Sequence, residues 1–96
     1  MTAYLVGHVT VKKADLWAKY VAGVQESLAP YAAKVIFRGL LDSVLAGDHK
    51  HESVVVIEFT DQATLASWFN SDLYQSLIPL RDEAADVVIT SYESQG

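Results

Sequence analysis

Ser53-Val54-Val55-Val56-Ile57-Glu58-Phe59-Thr60 is the clearest strand in the chain: six of its eight residues are β-branched or aromatic, four of them in an unbroken run. Working outward, Gly47-Asp48-His49-Lys50-His51-Glu52 is a polar turn that leads into it. Before that turn, residues 33–46 hold a second β-rich stretch centred on Val35-Ile36-Phe37-Arg38. Gly39 within it suggests a bulge or a close backbone approach. After the central strand, Thr60 or Asp61 can cap a helix that carries Leu65, Ala66, Trp68 and Phe69 on one side. Asn70-Ser71-Asp72 breaks that helix, and a second helical piece runs through Leu73, Tyr74, Leu77 and Leu80, with Pro79 interrupting or restarting it.

The ends complete the pattern. Residues 3–11 read as a strand, and so do residues 86–93. Between the first two strands, Leu16, Trp17, Tyr20, Val21, Val24 and Leu28 recur at three- and four-residue steps, the stripe of an amphipathic helix. Asp15 sits near its start, where a carboxylate favours the positive end of the helix dipole, and Pro30 lies past its end. The tail Ser94-Gln95-Gly96 is expected to fray. The order β-α-β-β-α-β suits one α+β domain over residues 1–96, a ferredoxin-like sandwich. Its four-stranded antiparallel sheet has the order 4-1-3-2. Right-handed crossovers put both helices on one face.

Side chains of a strand alternate between faces. Odd positions give Leu5, Gly7, Val9 and Val11, then Val35, Phe37 and Leu41, then Val55, Ile57 and Phe59, a uniformly apolar set assigned to the helix-covered face. The other face should then be polar. Instead Tyr4, Val6, Ile36, Leu40, Val54 and Val56 stand there beside His8, Arg38 and Glu58. An apolar face of that size marks an interface, and pairing with a second copy about a two-fold axis is the expected way to cover it. A chain of 96 residues buries only roughly 60–65% of the surface its unfolded form exposes, so it gains from that partner.

Composition narrows the function. Seven basic against twelve acidic residues give a net charge of −5, and the basic ones are scattered, which argues against nucleic acid as a partner. There is no cysteine, so disulfides, thiolate catalysis and thiolate metal sites are excluded, as suits a cytoplasmic protein. Met1-Thr2-Ala3-Tyr4 lacks the basic and apolar segments of a signal peptide. No apolar run approaches the ~20 residues that span a bilayer, so no membrane partner is expected. No nucleotide fingerprint or serine-triad motif is present.

Three polar groups stand out. If parity holds, His8, Arg38 and Glu58 share one face of three adjacent strands, with the strand of Glu58 in the middle. Arg38 would then hold a carboxylate or enolate through two parallel hydrogen bonds, with His8 or Glu58 as general base. The same three residues also read as a buried ion pair that sets dimer register, and such pairs are commonly structural. Trp68, Tyr74 and Arg81 lie on or after the second helix and could line a pocket between helix and sheet; Trp68 also reads as ordinary core. His49 and His51, flanked by Asp48 and Glu52, are donor types that suit zinc or copper, but the spacing is weak, and neither a metal nor a cofactor is expected.

The chain resembles the domain-of-unknown-function family 1330, within the dimeric α/β-barrel superfamily. The residues that carry the likeness are Ala3-Tyr4, Arg38-Gly39, Val44-Leu45 before Gly47-Asp48, and Val55-Val56-Ile57-Glu58-Phe59. They continue with Ala66 and Trp68, Ser71 before Leu73-Tyr74, and Leu80-Arg81. The resemblance implies two ferredoxin-like sheets packed into a barrel with the helices outside. It also implies a helix–sheet cleft of the kind in which several superfamily enzymes bind substrate. The family usually has an acidic residue at the place of His8, and an aromatic is common at the place of His49. Superfamily members include cofactor-free monooxygenases, haem-degrading enzymes, isomerases and plain binding proteins, so fold alone does not name an activity. The expectation is a homodimer that binds a small molecule. It acts either as a cofactor-free enzyme on a small acidic or phenolic metabolite, or as a non-catalytic binding or regulatory module.

Overall fold

A computed structural model describes residues 1–95. Strand β1 spans Ala3–Val11, helix α1 Ala14–Leu28, β2 Lys34–Leu40 and β3 Ser53–Phe59; helix α2 spans Gln62–Phe69, α3 Asp72–Ala84 and β4 Ala85–Glu93. A short 3-10 turn, Ala29–Tyr31, follows α1. The sheet order β2-β3-β1-β4, all antiparallel, is the expected order read from the other edge.

Local chemistry sets the element ends. Asp15 lies in the first turn of α1. Asp61 is the cap of α2, its carboxylate accepting the Thr64 N–H at 2.8 Å. Ser71 joins α2 to α3: its hydroxyl donates to the Trp68 carbonyl at 2.7 Å and accepts the Tyr74 N–H at 3.2 Å. Pro79 does not interrupt α3, which runs through it. The proline is exposed, so the carbonyl it leaves unpaired can bond water. The tail is partly tied down, since the Ser94 N–H donates to the Thr2 carbonyl at 2.9 Å; Gly96 lies outside the described residues.

The core lies between the helices and one sheet face. Ala3, Leu5, Ile57 and Phe59 meet Tyr20, Leu28, Leu65, Trp68 and Tyr74 there. The odd parity of β1 and β3 therefore holds. In β2 it does not. Val35 pairs with Ile57, but Phe37 pairs with Val56 and Arg38 with Val55, because a bulge at Ile36 inserts one residue. One extra residue flips every side chain beyond it. Phe37 thus leaves the helix-covered face, against expectation, and Arg38 joins it.

Ser71→Ala removes both bonds that fix the α2–α3 joint. It should lower unfolding free energy by about 1–2 kcal/mol in a denaturant titration followed by circular dichroism.

Candidate functional site

Helix α1 packs chiefly on α3. At Gly23 the two helices are so close that a β-carbon would come within 2.7 Å of Leu77 Cδ2. Leaning on α3 leaves space between α1 and the sheet. The result is a cleft of about 380 Å³, within the roughly 300–1,000 Å³ of small-molecule sites. Its floor is Leu5, Gly7, Val9, Val55 and Ile57 from the central strands, and its roof is Trp17, Tyr20, Val21, Val24 and Leu28, the apolar stripe of α1. Trp68 and Tyr74 close it from the second helical pair, and Arg38 borders it from β2.

Hydrogen bonds fix the polar tips of this largely apolar wall. Trp68 Nε1 donates to Ser27 Oγ at 2.9 Å, and Ser27 in turn donates to the Val24 carbonyl at 2.7 Å. The Tyr20 and Tyr74 hydroxyls are 2.8 Å apart, and Arg81 Nη1 donates to the Tyr74 oxygen at 3.1 Å. Rings interlock around them: Trp68 lies 4.4 Å from Tyr74 between centroids, and Trp17 stacks on Tyr20 at 5.0 Å. Burial pushes the Tyr20 phenol above its ordinary value, so it stays protonated. Arg38 is exposed, and among the described residues it has no ion-pair partner.

The six residues singled out from sequence therefore separate. Arg38, Trp68 and Tyr74 share the cleft, and Arg81 supports it from behind Tyr74. His8 and Glu58 lie on the opposite, free face, since Glu58 pairs with Tyr4 and His8 with Val54. Four residues along β1 separate those rows, about 13 Å, so the expected group of His8, Arg38 and Glu58 does not assemble within one chain. Sequence reading missed Tyr20, Trp17 and Ser27. The available signal was a phenol on an otherwise apolar helical stripe, because a buried tyrosine hydroxyl needs a partner. Tyr74 and Arg81, seven residues apart, meet because α3 is not broken at Pro79.

The free face carries a second cluster. The His8 and His49 rings lie 4.8 Å apart, and those of His49 and His51 5.8 Å apart. Thr10 Oγ1 lies 3.0 Å from His51 Nδ1, while the buried Nε2 of His51 has no partner among the described residues. Among the described residues no group of three histidine, cysteine or acidic side chains is placed to hold a metal ion. Nor is any of their helices long and apolar enough to cross a membrane.

The fold and the cleft define the class: a ferredoxin-like α+β domain with a pocket between its sheet and first helix. Within that class the chain belongs to the family described as Domain of unknown function (DUF1330), whose model matches residues 2–93. Similar solved structures include the RPA0582 protein of unknown function from Rhodopseudomonas palustris, at 16% identity and a TM-score of 0.81 over 99% of this chain and 83% of that one. SnoaB, a cofactor-independent oxygenase from Streptomyces nogalater, follows at 11% and 0.71, over 99% and 94%. A dimeric ferredoxin-like protein of unknown function from Jannaschia sp. CCS1 matches at 11% and 0.68, over 98% and 100%. Likeness at such identities establishes the fold alone. No curated protein matches the sequence.

The His8 imidazole is held below its ordinary value, first by desolvation and then by the neighbouring His49 and His51. The unfolded chain therefore takes up this proton more readily than the folded one, and acidification favours unfolding. The stability difference should be absent above about pH 7, appear as pH falls through about 6.5, and level off below the folded-state value. His8→Gln should flatten that part of a melting-temperature profile between pH 7.5 and 5.

Proposed function

We propose that this protein works as a homodimer that holds a small acidic or phenolic molecule in the helix–sheet cleft. The observation that carries this reading is the meeting of one unpaired cation, Arg38, with an apolar slot walled by Trp68 and Tyr74. A planar ring fits between the α1 stripe and the sheet, and a carboxylate or phenolate at its rim meets the Arg38 guanidinium. Among the described residues no carboxylate or imidazole borders the cleft. A proton-abstraction step would need a base brought by the ligand itself, which favours binding over turnover. Cofactor-free turnover is the second reading, supported by the fold shared with SnoaB.

The dimer rests on the free face. Phe37, Val88 and Tyr92 are half exposed there, beside Tyr4, Val6, Val54 and Val56. Covering about 400 Å² of such surface is worth on the order of 10 kcal/mol before the cost of association. The Jannaschia neighbour is described as dimeric, which supports the same arrangement. In this reading His8 and Glu58 belong to the subunit interface and Arg38, Trp68, Tyr74 and Arg81 to the cleft.

Two measurements test the proposal. Light scattering should give twice the 10.5 kDa chain mass, and Val56→Asp, which places a charge at the centre of the free face, should give a folded monomer. A wild-type monomer at micromolar concentration overturns the dimer. Calorimetric titration with fluorene-2-carboxylate, a planar apolar acid, should show saturable binding that Arg38→Gln weakens about tenfold. Absence of binding to the wild type, or an unchanged affinity in the variant, overturns the cleft assignment.

A further inference from the structure

Counting hydrogen bonds around Tyr74 leaves one proton over. Arg81 donates to the Tyr74 oxygen at 3.1 Å, so that oxygen already accepts one bond. The Tyr20 and Tyr74 oxygens, 2.8 Å apart, share one phenolic proton between them. Two phenols carry two protons. The second has no acceptor among the described residues. It resides on either Tyr74 or Tyr20. Tyr74 is wholly enclosed, at 0% exposure, and a hydroxyl proton stranded there would carry the full desolvation penalty. Tyr20 retains 7% exposure and borders the cleft. The guanidinium of Arg81 also polarises the Tyr74 hydroxyl, which makes Tyr74 the better donor of the pair. The chain of bonds therefore runs Arg81 to Tyr74 to Tyr20, and its free end is the Tyr20 hydroxyl.

We infer that Tyr20 donates this remaining hydrogen bond to an oxygen of the bound molecule. This rests on the cleft-binding reading and adds a requirement to it: the ligand carries two separate oxygen functions. One is the anionic group at Arg38. The other is an acceptor oxygen, a carbonyl or a phenolate, that meets Tyr20 in the buried wall. The preferred class is thus an oxo- or hydroxy-substituted aromatic acid rather than an aromatic acid alone. Tyr20 is a binding residue in this scheme and never a base, since burial keeps its phenol protonated. Arg81 acts through Tyr74 and touches no ligand.

A matched pair of probes separates binding in the cleft from the hydrogen bond of Tyr20. Fluorene carboxylates and the corresponding 9-oxofluorene carboxylates, with the acid at ring position 1, 2 or 4, differ within each pair by one carbonyl oxygen. The wild type should bind at least one ketone about tenfold more tightly than its hydrocarbon partner. In Tyr20→Phe that preference should fall to about one. The infrared carbonyl band of the bound ketone should lie at lower frequency in the wild type than in Tyr20→Phe. If both probes bind but no ketone is preferred, or the preference survives Tyr20→Phe, the Tyr20 assignment is overturned while the cleft stands. If neither series binds, cleft and assignment fall together. Should Tyr20→Phe not fold, 3-fluorotyrosine placed at position 20 keeps the ring shape and donates more strongly. It should then tighten the ketone alone, and an equal change in both probes counts against the assignment.

Discussion

Helix α1 meets α3 where Gly23 lies under Leu77, and any β-carbon at position 23 would have to displace that leucine. This close approach, with the bonds Trp68–Ser27 and Tyr20–Tyr74, ties α1 to the second helical pair rather than to the sheet. A helix laid directly on β1 and β3 would fill the space with Val21, Val24 and Leu28 and leave an ordinary core. Held from the side, the same residues become a roof. The cleft is thus a consequence of where α1 is anchored, and the polar tips of otherwise apolar aromatic residues do the anchoring. Their burial is favourable only because each tip is paired.

That arrangement explains which parts were readable in the sequence. Element order and the helix-covered parity of β1 and β3 follow from periodicity, because one buried face forces strict alternation, and the sheet order follows from the β-α-β-β-α-β motif. The position of Arg38 does not. A single inserted residue at Ile36 turns it from the free face to the cleft, and nothing about a β-branched isoleucine in a β-rich run announces an insertion. The bulge expected at Gly39 lies three residues earlier, at Ile36. A side chain at position 39 would collide with the Phe37 ring, 2.8 Å from its β-carbon position, so the glycine accommodates a neighbour that the bulge has already turned outward. Tyr20 was hidden differently. On a helical stripe it counts as one more apolar residue, and its hydroxyl acquires meaning only when Tyr74 and Arg81 arrive from 54 and 61 positions away.

The free face shows the opposite balance. It is apolar enough to need covering, yet it holds three imidazoles within 6 Å of one another in sequence of rings. His51 is buried and among the described residues only one of its two nitrogens has a partner, and His8 resists protonation first through desolvation and then through its imidazole neighbours. Neutral imidazoles suit an apolar interface, while charged ones oppose both burial and each other. In the proposed dimer such a face would associate most readily where the histidines are neutral.

The two faces therefore divide labour that one face was expected to combine. Had Arg38 stayed beside His8 and Glu58, any substitution there would have disturbed association and ligand together. The bulge at Ile36 moves Arg38 from the free surface to the cleft, and it sends Phe37 outward to enlarge the apolar surface by an aromatic ring. A single inserted residue thus serves both ends: it supplies the cleft with its charge and the free face with further apolar area. Because the sheet lies between them, the chemistry of the cleft can change without altering the residues that cover the other face.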